Sequence, residues 1–115
     1  MSRLLFFLLL VANLAFEDIG RKLVPGDLIG AEINDGYLAV PSKFEDSVVN
    51  KRLLPGDGEF DIAGFLRAVW SLGYDGPIGV EVLNEYIRQW DLRTAATEAM
   101  AKTRAVIAAA RQQHR

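Results

Sequence analysis

The chain has 115 residues, half of them hydrophobic, a net charge of −2 and a pI near 5.3. This is one domain or part of one, too apolar for disorder, and it lacks the basic surface that nucleic-acid phosphates require. It has no cysteine, and its only histidine is His114, so disulfides, thiolate zinc sites, cysteine nucleophiles and Ser-His-Asp chemistry within this chain are excluded. A metal bound here would need oxygen ligands, which favours hard or borderline ions such as Mg²⁺ or Mn²⁺.

Residues 4–11 are an unbroken apolar run behind Arg3. A membrane-spanning helix needs about 20 apolar residues, so no membrane span is expected. The run reads as the core of a secretory signal, with Asn13-Leu14-Ala15 as a poor cleavage site, as a buried strand or helix, or as an odd leader supplied by a truncated reading frame. No second feature supports export, and a chain without cysteines fits the cytoplasm.

Residues 16–23 predict a short helix with Phe16, Ile19 and Leu23 on one face, stopped by Pro25-Gly26. Residues 28–33 predict a short apolar strand with Glu32 inside it. Asn34-Asp35-Gly36 marks a turn. Residues 37–51 are polar, contain Pro41 and read as a long surface loop; such loops are uncommon unless functional or mobile.

Asp61 suits a helix cap, because its carboxylate accepts from orphan N–H groups. Ile62, Phe65, Leu66, Val69 and Trp70 then form one apolar stripe, and Gly73 suits the stop. Residues 78–83 predict a second strand, apolar on both faces apart from Gly79 and Glu81, as in a covered parallel sheet. Residues 84–90 read as a second loop. Asp91 caps a long final helix. Its inner face would carry Leu92, Ala95, Ala96, Ala99, Met100, Thr103, Val106, Ile107 and Ala110, with residues 111–115 fraying. Trp70 and Met100 read as packing residues.

Strands alternating with helices predict an α/β fold with a parallel sheet. Two strands alone make a marginal sheet, so the chain reads as a piece of something larger. It divides into an apolar leader with a short helix, residues 1–23, and the remainder, residues 24–115.

Glu81 is the first candidate functional residue. A charge in a buried strand is costly unless it is paired or holds a metal. Pro55-Gly56-Asp57-Gly58 is a simple turn or a phosphate cradle. Asp57, Glu59 and Asp61 are a helix cap with solvated neighbours or a cation site.

Four segments occur in a telling order. They are Ile29-Gly30-Ala31-Glu32-Ile33-Asn34-Asp35-Gly36, Asn50-Lys51-Arg52-Leu53-Leu54-Pro55-Gly56-Asp57-Gly58, Phe60-Asp61-Ile62 with Phe65-Leu66, and Gly73-Tyr74-Asp75-Gly76-Pro77-Ile78-Gly79-Val80-Glu81-Val82. Together they resemble the C-terminal end of the xylose-isomerase-like TIM barrels. That family includes sugar phosphate isomerases and epimerases, inosose dehydratases and dehydroshikimate dehydratases. The combination of R-x-x-P-G-x-G with a downstream G-Y-x-G-P-x-x-x-E carries the resemblance.

The resemblance implies a partial (β/α)₈ TIM barrel made of C-terminal βα units, with one divalent metal, Mn²⁺ or Mg²⁺, at the C-terminal mouth. Glu81 matches the carboxylate of the last strand, as metal ligand and proton-transfer group. Glu32 aligns with a ligand on the preceding-but-one strand, which is His or Gln in many relatives, so a carboxylate is a departure there. Arg52 matches an arginine that reaches the substrate, a sugar or polyol, and its planar fork suits a carboxylate, phosphate or diol. A complete barrel needs about 250 residues. The resemblance therefore implies a shortened barrel, inactive as an isolated chain, that self-associates or meets the missing barrel half. The competing expectation is a non-catalytic remnant that serves as an interaction module, with an exposed sheet edge inviting pairing.

Overall fold

A computed structural model describes residues 4–7, 16–24, 26–39 and 43–113. The proposed cleavage site at residues 13–15, Pro25, Pro41 and His114 lie outside them, as do residues 8–11 of the apolar run. No helix among the described residues is long and apolar enough to cross a membrane.

Among the described residues, three strands form one parallel sheet: β1 (Leu4–Phe7), β2 (Leu28–Ile33) and β3 (Ile78–Val80), in the order β1-β2-β3. The sequence pattern predicts two. The extra strand comes from the apolar leader, whose unbroken run has no period to separate strand from helix. β1 pairs with β2 from Leu4↔Leu28 to Phe7↔Glu32, with a register shift after Leu4. β2 pairs with β3 through Ala31↔Ile78, Glu32↔Gly79 and Ile33↔Val80.

Parallel neighbours need a crossover, and helices supply it. Helix α1 (Phe16–Lys22) follows β1. Two helices, α2 (Phe44–Asn50) and α3 (Ile62–Ser71), lie between β2 and β3. Helix α4 (Leu92–Gln112) follows β3. The segment expected to be one long loop therefore contains α2, whose mixed polar sequence has no clear stripe. The second loop contains a short 3₁₀ turn, Ile87–Gln89. The third strand is shorter than expected and ends at Val80.

Helix α3 is the centre of the core. Asp61 starts it by accepting from the Gly64 N–H at 2.8 Å. Ile62, Phe65, Leu66 and Val69 are buried, in the predicted stripe. Gly73 ends it at φ +82°, a conformation that is cheap for glycine, and donates to the Trp70 carbonyl at 2.9 Å. The stripe packs on Ala31 and Ile33 of β2, with Ile78 and Val80 of β3 against the same cluster. Phe16 of α1 meets Phe65 edge to face, with ring centroids 6.1 Å apart.

Helix α4 packs on α3 through a narrower face than the pattern predicts. Thr103 and Ala110 are buried, whereas Leu92 is 85% and Met100 53% exposed. Helical spacing tells which residues share a face, but not how far the neighbouring element reaches along it. The end of α4 stays helical to Gln112 where fraying was expected. Arg67 donates to the Gln113 side chain at 2.6 Å, and Arg111 lies 5.6 Å from the Trp70 ring centroid. At the other end, hydrogen bonds from Thr94, its hydroxyl first, hold the Asp91 carboxyl below its ordinary 3.8.

Two outcomes follow from this packing. Phe65 has 0% exposure, so Phe65→Ala should cost about 3–5 kcal/mol, read by urea unfolding. The Asp91 carboxyl is depressed, so its contribution is complete above about pH 3.8 and is lost as pH falls through the lower folded value. Circular dichroism in acid should show that component in the wild type and lack it in Asp91→Ala.

Candidate active site at the C-terminal edge of the sheet

The sheet has two chemically different faces. Side chains alternate along a strand. Ala31, Ile33, Ile78 and Val80 meet the helices. The intervening positions, Glu32 and its register partner Gly79, point to the other face. The Glu81 N–H donates to the Ile33 carbonyl at 3.3 Å, so the ladder continues one step past β3. Glu81 therefore shares a face with Glu32, at the C-terminal ends of adjacent strands. This corrects the placement of Glu32 on a preceding-but-one strand: β2 and β3 are direct neighbours.

Glu32 lies over Gly79. A Cβ built on Gly79 would stand 3.0 Å from Glu32 Cγ, so the missing side chain makes the room. Glu32 Oε2 is buried and accepts no hydrogen bond from the described residues. A buried carboxylate oxygen without a donor is costly.

Glu81 has a partner. Arg52 Nη1 sits 2.7 Å from Glu81 Oε2. Arg52 Nε donates to the Val48 carbonyl of α2 at 2.7 Å. Arg52 is only 8% exposed. Expected as a group that reaches the substrate, it is drawn inward, and its fork grips Glu81 and the backbone.

Two loops meet around this pair. Arg52 N–H donates to the Leu83 carbonyl at 3.0 Å, and Glu85 N–H to the Asn50 carbonyl at 2.9 Å. Buried Asn84 donates to the Arg52 carbonyl at 2.8 Å and accepts from the Tyr86 and Ile87 N–H groups at 2.9 and 3.1 Å. Arg88 adds bonds to the Asn50 side chain and the Val49 carbonyl. The stretch after β3 is thereby fastened to α2.

Asp35, which the sequence marks only as a turn residue, is 1% exposed. Its Oδ1 accepts from the Gly36 N–H at 2.9 Å and the Phe60 N–H at 3.0 Å, and its Oδ2 from the Gly56 N–H at 2.9 Å. The Asp57 N–H donates to Leu54 O and the Glu59 N–H to Gly36 O. The phosphate-cradle reading of Pro55-Gly56-Asp57-Gly58 therefore fails, because an internal carboxylate already occupies the anion's position. The nearby acids are not a cation site either. Asp61 caps α3, Asp57 pairs with Lys102 at 2.5 Å, and Glu59 accepts from the Leu38 N–H at 2.9 Å. Asn84 and Gly79 were also missed as site residues. Asn-Asp-Gly composition signals turns whether or not the side chains are buried.

Among the described residues, no group of three or more His, Cys, Asp or Glu could hold a metal ion. Glu32 and Glu81 lie on one face at the ends of adjacent strands. Their all-oxygen chemistry and the unpaired Glu32 Oε2 fit a hard divalent ion, which binds through one or two carboxylates and otherwise keeps water.

Neither a family model nor a solved structure matches the chain. Over 49 residues it is 43% identical to the 3-dehydroshikimate dehydratase of Pseudomonas aeruginosa. Over 49 residues it is 39% identical to the 3-dehydroshikimate dehydratase of Pseudomonas putida. Each match covers 43% of this chain and 8% of the relative, so the chain spans a small fraction of the proteins it matches. Dehydroshikimate dehydratases are among the members of the family that the sequence resembles, and the match supports that broad placement.

Glu81→Gln removes the charge that faces a buried guanidinium. It should cost about 1–3 kcal/mol, toward the lower end because the Glu81 side chain is 44% exposed. Urea unfolding of the variant checks this.

Proposed function

We propose that the chain is the C-terminal βα portion of a xylose-isomerase-like barrel, built for metal-assisted proton transfer on a small polyhydroxylated substrate. One observation carries the reading: two glutamates leave the C-terminal ends of adjacent parallel strands on one face, and one has a buried oxygen with no partner among the described residues. Barrel active sites sit at that end of the strands.

Glu32 and Glu81 would hold Mn²⁺ or Mg²⁺. When bound, such an ion polarises a substrate oxygen and acidifies the adjacent C–H. Glu81 is the proton-transfer group. Arg52 holds one of its oxygens, which leaves the other for the substrate, and the grip fixes the direction of the carboxylate. The Gly79 gap keeps Glu32 flat against the sheet. Both curated relatives are dehydratases, which favours proton removal followed by loss of a hydroxyl group over isomerisation. The residues that would supply the remaining ligands and the second acid come from a further barrel portion.

A second reading is favoured by the outer edge of β3, which has no strand paired to it among the described residues. An interaction module would use that edge to pair with another chain, without a metal.

Calorimetry with Mn²⁺ on the full chain, with oligomeric state recorded alongside, separates the two. Metal-assisted chemistry predicts binding that weakens on the order of tenfold or more in Glu81→Gln and in Glu32→Gln, since affinity follows ligand charge. Gly79→Ala should weaken it too, by displacing Glu32. Oligomers that form without Mn²⁺ binding, indifferent to all three substitutions, would establish the interaction module.

A further inference from the structure

We infer that Asp35 is a positioning residue. Its buried carboxylate sets the loop of residues 53–60 and, through that loop, the direction in which Arg52 holds Glu81. Its bearing on catalysis rests on the proposed role of Glu81.

The contacts run without a gap. The Asp35 backbone pairs with Leu53 in both directions, each bond 2.8 Å. Leu53 is the residue after Arg52. Arg52 is pinned on its other side by Leu83 and Asn84. Its backbone thus lies between two fixed rails, and the guanidinium leaves from between them toward Glu81. The first rail depends on the carboxylate. The loop beyond Leu53 has no regular structure, and its return at Gly56 and Phe60 is held by Asp35 Oδ2 and Oδ1.

The loop is also held by the Glu59 N–H on the Gly36 carbonyl at 2.8 Å and by burial of Leu54 and Pro55, but among the described residues only Asp35 accepts from both Gly56 and Phe60. Lys102 and Asp57 tether its tip, but both side chains are partly exposed, at 34% and 40%, where an ion pair contributes little. A Cβ at Gly58 would strike Asp35 Oδ1 and the Gly36 carbonyl, so the loop is moulded tightly on the carboxylate. Asp35 does not act on a ligand directly, because both of its oxygens are buried and already accept from the backbone. Its effect passes through Arg52.

Asp35→Asn keeps the shape but turns one accepting oxygen into an amide that faces a backbone donor. A double-mutant cycle of Arg52→Met and Glu81→Gln, read by urea unfolding of the full chain, measures the coupling of the pair. With Asp35 present the coupling should be about tenfold in the folding constant. In the Asp35→Asn background it should fall to about twofold or less. An unchanged coupling under a uniform loss of stability would overturn the inference, since that is what a merely structural residue produces. Lys102→Ala, which cuts the outer tether alone, should leave the coupling intact.

Linkage is reciprocal, so a second measurement keeps Asp35 intact and does not need Asp35→Asn to fold. In Glu81→Gln, amide exchange at Gly56 and Phe60 should accelerate several-fold more than at Phe65 and Leu66 of α3. Equal acceleration at all four amides would overturn the inference. Neither readout uses a metal ion, so failure of Mn²⁺ binding bears on the proposed chemistry alone.

Discussion

The C-terminal end of the sheet is organised by one carboxylate that never meets solvent. Asp35 satisfies three backbone donors from three parts of the chain: Gly36 beside it, Gly56 across the turn and Phe60 at the entrance to α3. A hydrogen bond to a charged group contributes about 1.5–3 kcal/mol net, and fixing a backbone residue costs about 1–2 kcal/mol. The three bonds alone do not order the loop. Burial of Leu54 and Pro55 beside them supplies the remainder. Ordered in this way, the loop delivers Arg52 on one side and the start of α3 on the other. The core and the candidate site therefore share a support.

The sheet divides its labour by parity. At the C-terminal ends of β2 and β3, the positions facing the helices are Ala31, Ile33, Ile78 and Val80, all part of or packed on the core. Positions facing the other way carry Glu32, Gly79 and Glu81. Among the described residues that face carries two carboxyl groups, and one guanidinium, that of Arg52, pairs with Glu81. Arg52 has chosen between the two acids: it bonds to Glu81 and leaves Glu32 Oε2 without a donor. A carboxylate oxygen in that position calls for a cation, a hydroxyl or a proton. The first two are what a metal-assisted site on a polyol would bring.

Local features were legible in the sequence where physics acts locally. Asp61 and Asp91 cap their helices as their positions suggest, and the stripe from Ile62 to Val69 is buried as spaced. Glu32, Arg52 and Glu81 were singled out by their motifs, and the structure brings Arg52 onto Glu81. Long-range matters were not. The apolar leader could not declare itself a strand, because only pairing with β2 makes it one. Asp35 looked like any turn aspartate, since its three donors lie up to 25 residues away. Leu92 and Met100 sit at the right helical spacing, yet α3 does not extend over them. The inward turn of Arg52 depends on Val48 and on the α2 helix, which had no pattern to announce it.

Among the described residues the outer edge of β3 has no strand to pair with, and it borders the face that bears Glu32 and Glu81. A parallel strand added at that edge would pair with it and bring its own side chains to that face, because alternate residues of the new strand would fall on the carboxylate side. In the proposed metal-binding reading, closure of the sheet and completion of the ligand set would be one structural event. A metal-binding reading and an interaction reading then differ only in what the incoming strand carries: oxygen or nitrogen donors in the first case, apolar side chains in the second.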